Sequence, residues 1–161
     1  GLMRKYETGT VTSREFYEAF CTASGCRPEY DALSSAANEI FELNAPMLPL
    51  VAQLHRSGRP MGILSNTCES HWEYCLPRYR ILSEAFSVYA LSYQIGAMKP
   101  DLAIFRAAAE LSDCRPADIF FVDDFAENVE GAREAGFDAV QFTSARALAE
   151  ELRQRGLRLD Y

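Results

Sequence analysis

Three groups of polar residues lie at or just beyond the ends of apolar segments that have the composition of β-strands. One group follows segment 61–64, the second lies beyond segment 87–91, and the third follows segment 119–122. The residues concerned are Ser65, Asn66, Thr67, Lys99, Asp123, Asp124 and Asn128. A hydroxyl and backbone amides can hold phosphate oxygens, and a lysine can neutralise the anion. Paired carboxylates with a nearby amide can hold magnesium, which takes oxygen ligands.

Each group also has an ordinary structural interpretation. A Ser-Asn-Thr turn most often caps a helix, and Lys99 before Pro100 is most often a solvated loop residue. The adjacent carboxylates of Asp123 and Asp124 are more informative, because they repel each other unless a cation is near. The order of the three groups on successive strand ends is what favours a chemical role.

The elements that would position these residues are strands alternating with helices. Four apolar strands are predicted at about 61–64, 87–91, 119–122 and 139–142. The alternation predicts an α/β fold with a Rossmann-like parallel sheet and flanking helices. In such sheets ligands bind outside the carboxyl ends of the strands, where the three polar groups lie.

The first third of the chain has the pattern of helices only. Thr12 and Glu15 have the spacing of a capping box. An apolar stripe from Tyr30 through Ile40 to Phe41 predicts a later helix. We therefore predict a small, partial helical cap region at 1–45 and an α/β core at 46–161.

Composition restricts the class of protein. The chain has 161 residues and a net charge of −7, which disfavours binding to nucleic acid. No apolar run is long enough to span a bilayer, so no membrane partner is expected. The five cysteines are scattered, and the two histidines are too few for a histidine-based metal centre. These features predict a cytoplasmic protein with reduced thiols.

The polar groups and their neighbours resemble the second, third and fourth motifs of the haloacid dehalogenase superfamily. The segments that carry the resemblance are 63–67 (Ile-Leu-Ser-Asn-Thr), 96–100 (Gly-Ala-Met-Lys-Pro), 121–124 (Phe-Val-Asp-Asp) and 128–132 (Asn-Val-Glu-Gly-Ala). The sequence is most similar to helical-cap phosphatases of the sugar-phosphate type. The helical first third resembles the cap of those enzymes.

The resemblance implies a phosphate-binding role for the first two groups. Ser65 would hydrogen-bond the phosphoryl group with the help of the Asn66 amide, and Thr67 belongs to the same substrate-binding turn. Lys99 would be catalytic, because it would stabilise negative charge on the nucleophile and on the transferring phosphoryl group. The expected partner is a small phosphorylated metabolite, and a homo-oligomer is left open.

The third group would hold magnesium. By the resemblance, Asp123 would coordinate Mg²⁺ directly, Asp124 would take part in metal binding and catalysis, and Asn128 would orient the two acids. The implied reaction is attack by an aspartate on phosphorus, followed by hydrolysis of the aspartyl phosphate. This is covalent catalysis with electrostatic and metal-ion assistance.

The family's first motif is an Asp-x-Asp at the end of a central first strand, and this sequence contains no Asp-x-Asp. Its first aspartate is the nucleophile, so we expect the chain as given to be inactive and to be a truncated form of a longer enzyme. The missing strand would lie between the strands that end at Ser65 and Asp123. Unpaired buried backbone groups there would cost about 1–3 kcal/mol each.

Two other functions remain open at this point. One is a non-catalytic binding or interaction protein on the same scaffold, which would form a stable oligomer. The other is a haloacid dehalogenase proper, which needs no magnesium. The pair Asp123-Asp124 followed by Asn128 favours a metal-dependent phosphatase over a dehalogenase.

Overall fold

The computed structural model describes residues 1–160 as helices followed by parallel strands and further helices. Tyr161, the last residue of the predicted core region, lies outside the described residues. The helices are α1 Leu2–Glu7, α2 Ser13–Ser24, α3 Tyr30–Asn38, α4 Leu48–Arg56, α5 Glu69–Arg78, α6 Ile81–Ala85, α7 Ser92–Ile95, α8 Leu102–Ser112, α9 Ala126–Glu134 and α10 Ala145–Gln154. Short 3-10 turns occur at Ala45–Met47 and Pro116–Asp118.

The strands lie where the apolar segments predict them. They are β1 Gly62–Ser65, β2 Val88–Leu91, β3 Phe120–Asp123 and β4 Asp138–Gln141. Each boundary is within one residue of its predicted position. Parallel strands that alternate with flanking helices confirm the predicted α/β fold class.

The strands form two separate pairs. β1 pairs in parallel with β2, and β3 pairs in parallel with β4. Ser65 lies beside Leu91 at the carboxyl end of the first pair, and Asp123 lies beside Gln141 at the carboxyl end of the second. The strands that end at Ser65 and Asp123 therefore do not pair with each other.

The larger apolar core joins the two strand pairs through α8 and α9. Phe105 of α8 makes edge-to-face contacts with Phe121 of β3 and with Phe137, at centroid distances of 5.6 Å and 5.7 Å. Ala90 of β2 and Ala139 of β4 belong to the same buried cluster. These helices therefore hold the two strand pairs together even though no strand connects them.

A second core covers β3 with α4 and α10. Leu50 of α4 packs in one cluster with Leu148 and Leu152 of α10. Phe120 and Val122 of β3 pack against this cluster. The strand that ends at Asp123 is thus supported by α9 on one side and by α4 and α10 on the other.

The first three helices pack on the elements that follow. α1 contacts α2 and α7, and α3 contacts α5. The predicted capping box is present, because Thr12 Oγ1 accepts from the Glu15 amide at 3.2 Å and the Thr12 amide donates to Glu15 Oε2 at 2.8 Å. The division into a cap region and a core region at residue 45 stays a prediction.

The predicted apolar stripe is wrong at its end. α3 stops at Asn38, and Ile40 is 68% exposed. The chain leaves the helix at Glu39, and the carbonyl of Phe41 beyond it accepts a hydrogen bond from the Tyr79 hydroxyl at 2.6 Å. The short helices α1, α6 and α7 were not predicted. Among residues 1–160, no helix has the length and apolar character needed to cross a bilayer.

Candidate active site

Lys99 connects the carboxyl ends of β1 and β3. Its Nζ donates to Asp123 Oδ2 at 2.6 Å and to the carbonyl oxygen of Leu64 at 3.0 Å. Both charged side chains are nearly buried, with 10% of Lys99 and 5% of Asp123 exposed. Lys99 lies in the segment after α7, so three separate parts of the chain meet at this ammonium group.

Asp123 is held as a carboxylate by several donors. Besides Lys99, its Oδ1 accepts from the Phe125 amide at 2.9 Å and from Asn128 Nδ2 at 2.9 Å. Burial raises the pKa of Asp123, but the hydrogen bonds from Lys99 and Asn128 outweigh burial and hold it below its ordinary value. The predicted association of Lys99, Asp123 and Asn128 is thus present in the structure.

Asn66 contacts the backbone of Lys99 with both atoms of its side-chain amide. Its Nδ2 donates to the Lys99 carbonyl oxygen at 3.0 Å, and its Oδ1 accepts from the Lys99 amide at 2.8 Å. The sequence analysis assigned Asn66 to phosphate binding through its backbone amide. The side-chain contact was not predicted, because it depends on the conformation of two loops that are distant in sequence.

Ser92 fixes the rest of the turn after β1 and was not singled out from the sequence. Its Oγ accepts from the Thr67 amide and donates to the Thr67 carbonyl oxygen, each at 2.9 Å. Ser92 is fully buried, and Thr67 is buried as well. The only available signal was a serine directly after a strand. A serine in this position is usually interpreted as a helix N-cap.

Ser65 and Asp124 remain available for a ligand. Ser65 is the half-buried last residue of β1, and no hydrogen bond of its hydroxyl is found among residues 1–160. Asp124 is exposed directly after β3, and its carbonyl oxygen accepts from Gln141 Nε2 at 2.8 Å. Ser65 directly follows Leu64 and Asp124 directly follows Asp123, the two residues that accept from the Lys99 ammonium, so both lie beside the lysine contacts.

Gly131 of α9 allows a close approach to the lysine segment. A Cβ atom at this position would lie 2.6 Å from the carbonyl oxygen of Pro100 and 3.0 Å from a ring carbon of Phe105. Only a residue without a side chain fits between them. The helix that carries Asn128 therefore supports the segment that carries Lys99.

The candidate site offers two carboxylates for magnesium, those of Asp123 and Asp124. No three His, Cys, Asp or Glu side chains come together as a metal cluster within the described part of the chain. Mg²⁺ is commonly held by one or two carboxylates together with waters and substrate phosphate oxygens. Asp123 and the exposed Asp124 could serve as these carboxylates, and Lys99 then shares Asp123 with the ion.

The sequence profile of the haloacid dehalogenase-like hydrolases matches residues 8–136. The chain belongs to this family. The match includes the turn after β1, the Lys99 segment and Asp123 with Asn128, so every residue of the candidate site lies within it. Membership confirms the resemblance on which the sequence analysis relied.

Two relatives of this haloacid dehalogenase-like hydrolase are phosphatases. It is 26% identical over 147 residues to D-ribitol-5-phosphate phosphatase of Bacteroides thetaiotaomicron, a match that covers 88% of this chain and 71% of the relative. It is 34% identical over 91 residues to a phosphatase of Mycobacterium tuberculosis, which covers 56% of this chain and 42% of the relative. The chain spans less than half the length of four of the curated relatives it matches.

A solved structure of a haloacid dehalogenase family enzyme from Bacteroides thetaiotaomicron is also similar. That enzyme was crystallised with magnesium and inorganic phosphate. The TM-score is 0.80 at 26% sequence identity, and the alignment covers 89% of this chain and 75% of that one. The fold of this chain is therefore that of a family enzyme known with both ligands bound.

Proposed function

We propose that this chain carries most of the active site of a magnesium-dependent phosphatase that acts on a small phosphorylated metabolite of the sugar-phosphate type. The observation that carries the proposal is the nearly buried Lys99–Asp123 pair at the strand ends, with Asn128 bound to the same carboxylate. The phosphatase relatives and the structure with magnesium and phosphate support it.

Lys99 is suited to receive a phosphoryl oxygen. An ammonium group has three N–H donors, and two of them point to Asp123 and the Leu64 carbonyl. The third donor is available to an anion at the same end of the sheet. The hydroxyl of Ser65 and the backbone amide of Asn66 would bind other oxygens of the same group.

Asp123 and Asp124 would hold magnesium. Bound there, Mg²⁺ would neutralise charge on the phosphoryl group and orient it. Asn128 and the Phe125 amide fix Oδ1 of Asp123, so the carboxylate is already oriented before any ion arrives. The preorganised carboxylate is what this chain contributes to metal binding.

The nucleophile is the remaining requirement. In the mechanism that the family resemblance implies, an aspartate attacks phosphorus, and the sequence contains no Asp-x-Asp. We propose that residues 1–161 bind magnesium and phosphate but do not turn over substrate. A reading frame that adds an Asp-x-Asp strand between β1 and β3 would complete the reaction.

Magnesium binding can be tested on the chain itself. Titration calorimetry with MgCl₂ should show binding to the unmodified chain and an affinity at least about tenfold lower for Asp123→Asn. Asp118→Asn is the matched control, because Asp118 is exposed near the other end of β3. Equal affinities for all three proteins would contradict the proposed metal site.

Phosphatase activity is to be tested on the protein encoded by the longest available reading frame. It should release phosphate from at least one member of a sugar-phosphate panel, and removal of Mg²⁺ with EDTA should abolish this release. Lys99→Met should reduce kcat/KM by at least about a hundredfold, since a transition-state contact is lost, whereas Lys5→Met should not. A longer protein that hydrolyses no phosphate ester with magnesium present would overturn the proposal.

A further inference from the structure

We propose that the side chain of Asn66 is a positioning residue for Lys99, which it holds by the backbone. The inference deepens the proposed function and rests on it for the catalytic importance of Lys99. The geometry itself does not depend on the reaction. It assigns Asn66 a role besides the phosphate contact of its backbone amide.

The contact is a two-point clamp on one residue. Asn66 Nδ2 and Oδ1 pair with the C=O and N–H of Lys99 at 3.0 Å and 2.8 Å. A primary amide offers one donor and one acceptor side by side, so it can satisfy both backbone groups of an extended residue at once. A hydroxyl makes such a pair of bonds through one oxygen, as Ser92 does with Thr67, whereas the Asn66 amide uses two separate atoms.

The Lys99 segment needs such support because no strand or long helix holds it. Lys99 lies between α7, which ends at Ile95, and α8, which begins at Leu102. A backbone hydrogen bond within the segment runs from the Asp101 amide to the Met98 carbonyl at 2.8 Å. The close approach of Gly131 to Pro100 supports it from α9.

The clamp has a consequence for the ammonium group. A lysine side chain has four rotatable carbon bonds, and ordering it costs up to about 2 kcal/mol. Fixing the backbone of Lys99 on both sides of its Cα limits where its Nζ can reach. The ammonium is then held between the Leu64 carbonyl and Asp123 before a ligand binds.

The chain offers a direct test because it contains only two lysines, Lys5 and Lys99. Lys5 is exposed in α1, whereas Lys99 is nearly buried. Brief acetylation with an activated acetate ester, followed by digestion and mass spectrometry, gives the labelling rate of Lys99 relative to Lys5. We expect this ratio to be low in the unmodified chain and to rise on the order of tenfold in Asn66→Ala, the factor for losing about one net hydrogen bond.

Ser92→Ala is the matched control for general loosening. Ser92 makes the same kind of two-point contact, but with the backbone of Thr67 rather than Lys99. Both variants should melt at lower temperature, and only Asn66→Ala should raise the relative labelling of Lys99. An unchanged ratio in folded Asn66→Ala, or an equal rise in Ser92→Ala, would overturn the proposal.

A measurement on the unmodified chain covers the case in which Asn66→Ala does not fold. The Lys99 amide donates to Asn66, whereas no hydrogen bond of the Met98 amide is found among the described residues. Amide hydrogen exchange followed by NMR should therefore be slower at Lys99 than at Met98, and equal rates would contradict the clamp. Neither measurement requires hydrolysis or magnesium, so failure of the proposed phosphatase activity is a separate result.

Discussion

Single residues in the candidate site show which parts of it can be predicted from sequence. Lys99, Asp123 and Asn128 were expected to meet because each follows a parallel strand, and strand direction alone brings their loops to one edge. The contacts of Asn66 with Lys99 and of Ser92 with Thr67 could not be predicted. They depend on loop conformations that no periodic pattern encodes.

His71 and Cys68 interact just after the turn that follows β1, and each changes the pKa of the other. The hydrogen bond with Cys68 raises the pKa of His71 above its ordinary value, although burial opposes this. Burial raises the pKa of Cys68, yet the hydrogen bonds with His71 outweigh burial and lower it overall. Negative charge on the sulfur thus favours the protonated imidazole.

Removal of the sulfur should reverse this effect. In Cys68→Ala the pKa of His71 should fall, because the hydrogen bond is lost and burial still opposes charge. Titration of the His71 ring signals by NMR measures the change, with the His55 signals as an internal reference. A pKa of His71 that stays the same or rises in the variant would show that Cys68 is not the cause.

At the scale of elements, the capping box of α2 is a local feature that sequence spacing predicts correctly. Thr12→Ala should lower the free energy of unfolding by about 1 kcal/mol, because an N-terminal amide of α2 loses its side-chain acceptor. Thr22→Ala is the control, since Thr22 lies inside the same helix and is exposed. Chemical denaturation measures both, and an equal loss in the two variants would exclude the capping effect.

Gly9 brings the segment between α1 and α2 into close contact with α7, which the sequence did not reveal. It has φ +66°, and a Cβ there would lie 2.1 Å from the Tyr93 carbonyl oxygen at α7. Gly25 has φ +70° but nothing within 4 Å of such an atom. Gly9→Ala should therefore destabilise the protein more than Gly25→Ala in the same denaturation experiment.

The difference between the two glycine variants isolates the collision. Both substitutions place an alanine in the left-handed region and share that backbone cost of roughly 1 kcal/mol. The additional loss of unfolding free energy in Gly9→Ala measures how strongly the segment between α1 and α2 is held against α7. Equal losses in both variants would mean that this segment moves away from α7 at little cost.

At the scale of the whole molecule, helices rather than strand pairing join the two halves of the sheet. The amide of Phe142 donates to the backbone carbonyl of Asp123, and the amide of Asp138 donates to the backbone carbonyl of Ile119. The backbone groups of alternate residues of β3 therefore face β4. Phe121 belongs to this set, whereas the backbone groups of Val122 point away from β4. The positions of the four strands along the chain were predictable from the sequence, but the sequence could not show how the open edges are supported.

The open edge of β3 gives a prediction for the folded protein. The amide of Val122 should exchange with solvent deuterium faster than that of its neighbour Phe121, because only the latter faces a paired strand. NMR or mass spectrometry with fragmentation can resolve the two positions. Equal protection would mean that another segment covers this edge in solution.

The ammonium of Lys99 links the alignment of the two strand pairs to the binding of an anion. It touches both halves of the sheet through Leu64 and Asp123, and it is also the group expected to meet an anion. Linkage is reciprocal: an anion that binds more strongly when the two halves are correctly aligned also strengthens their alignment, by the same free energy. Phosphate would then act as a third point of attachment between the halves, so its concentration would tune the rigidity of the sheet as well as the occupancy of the site.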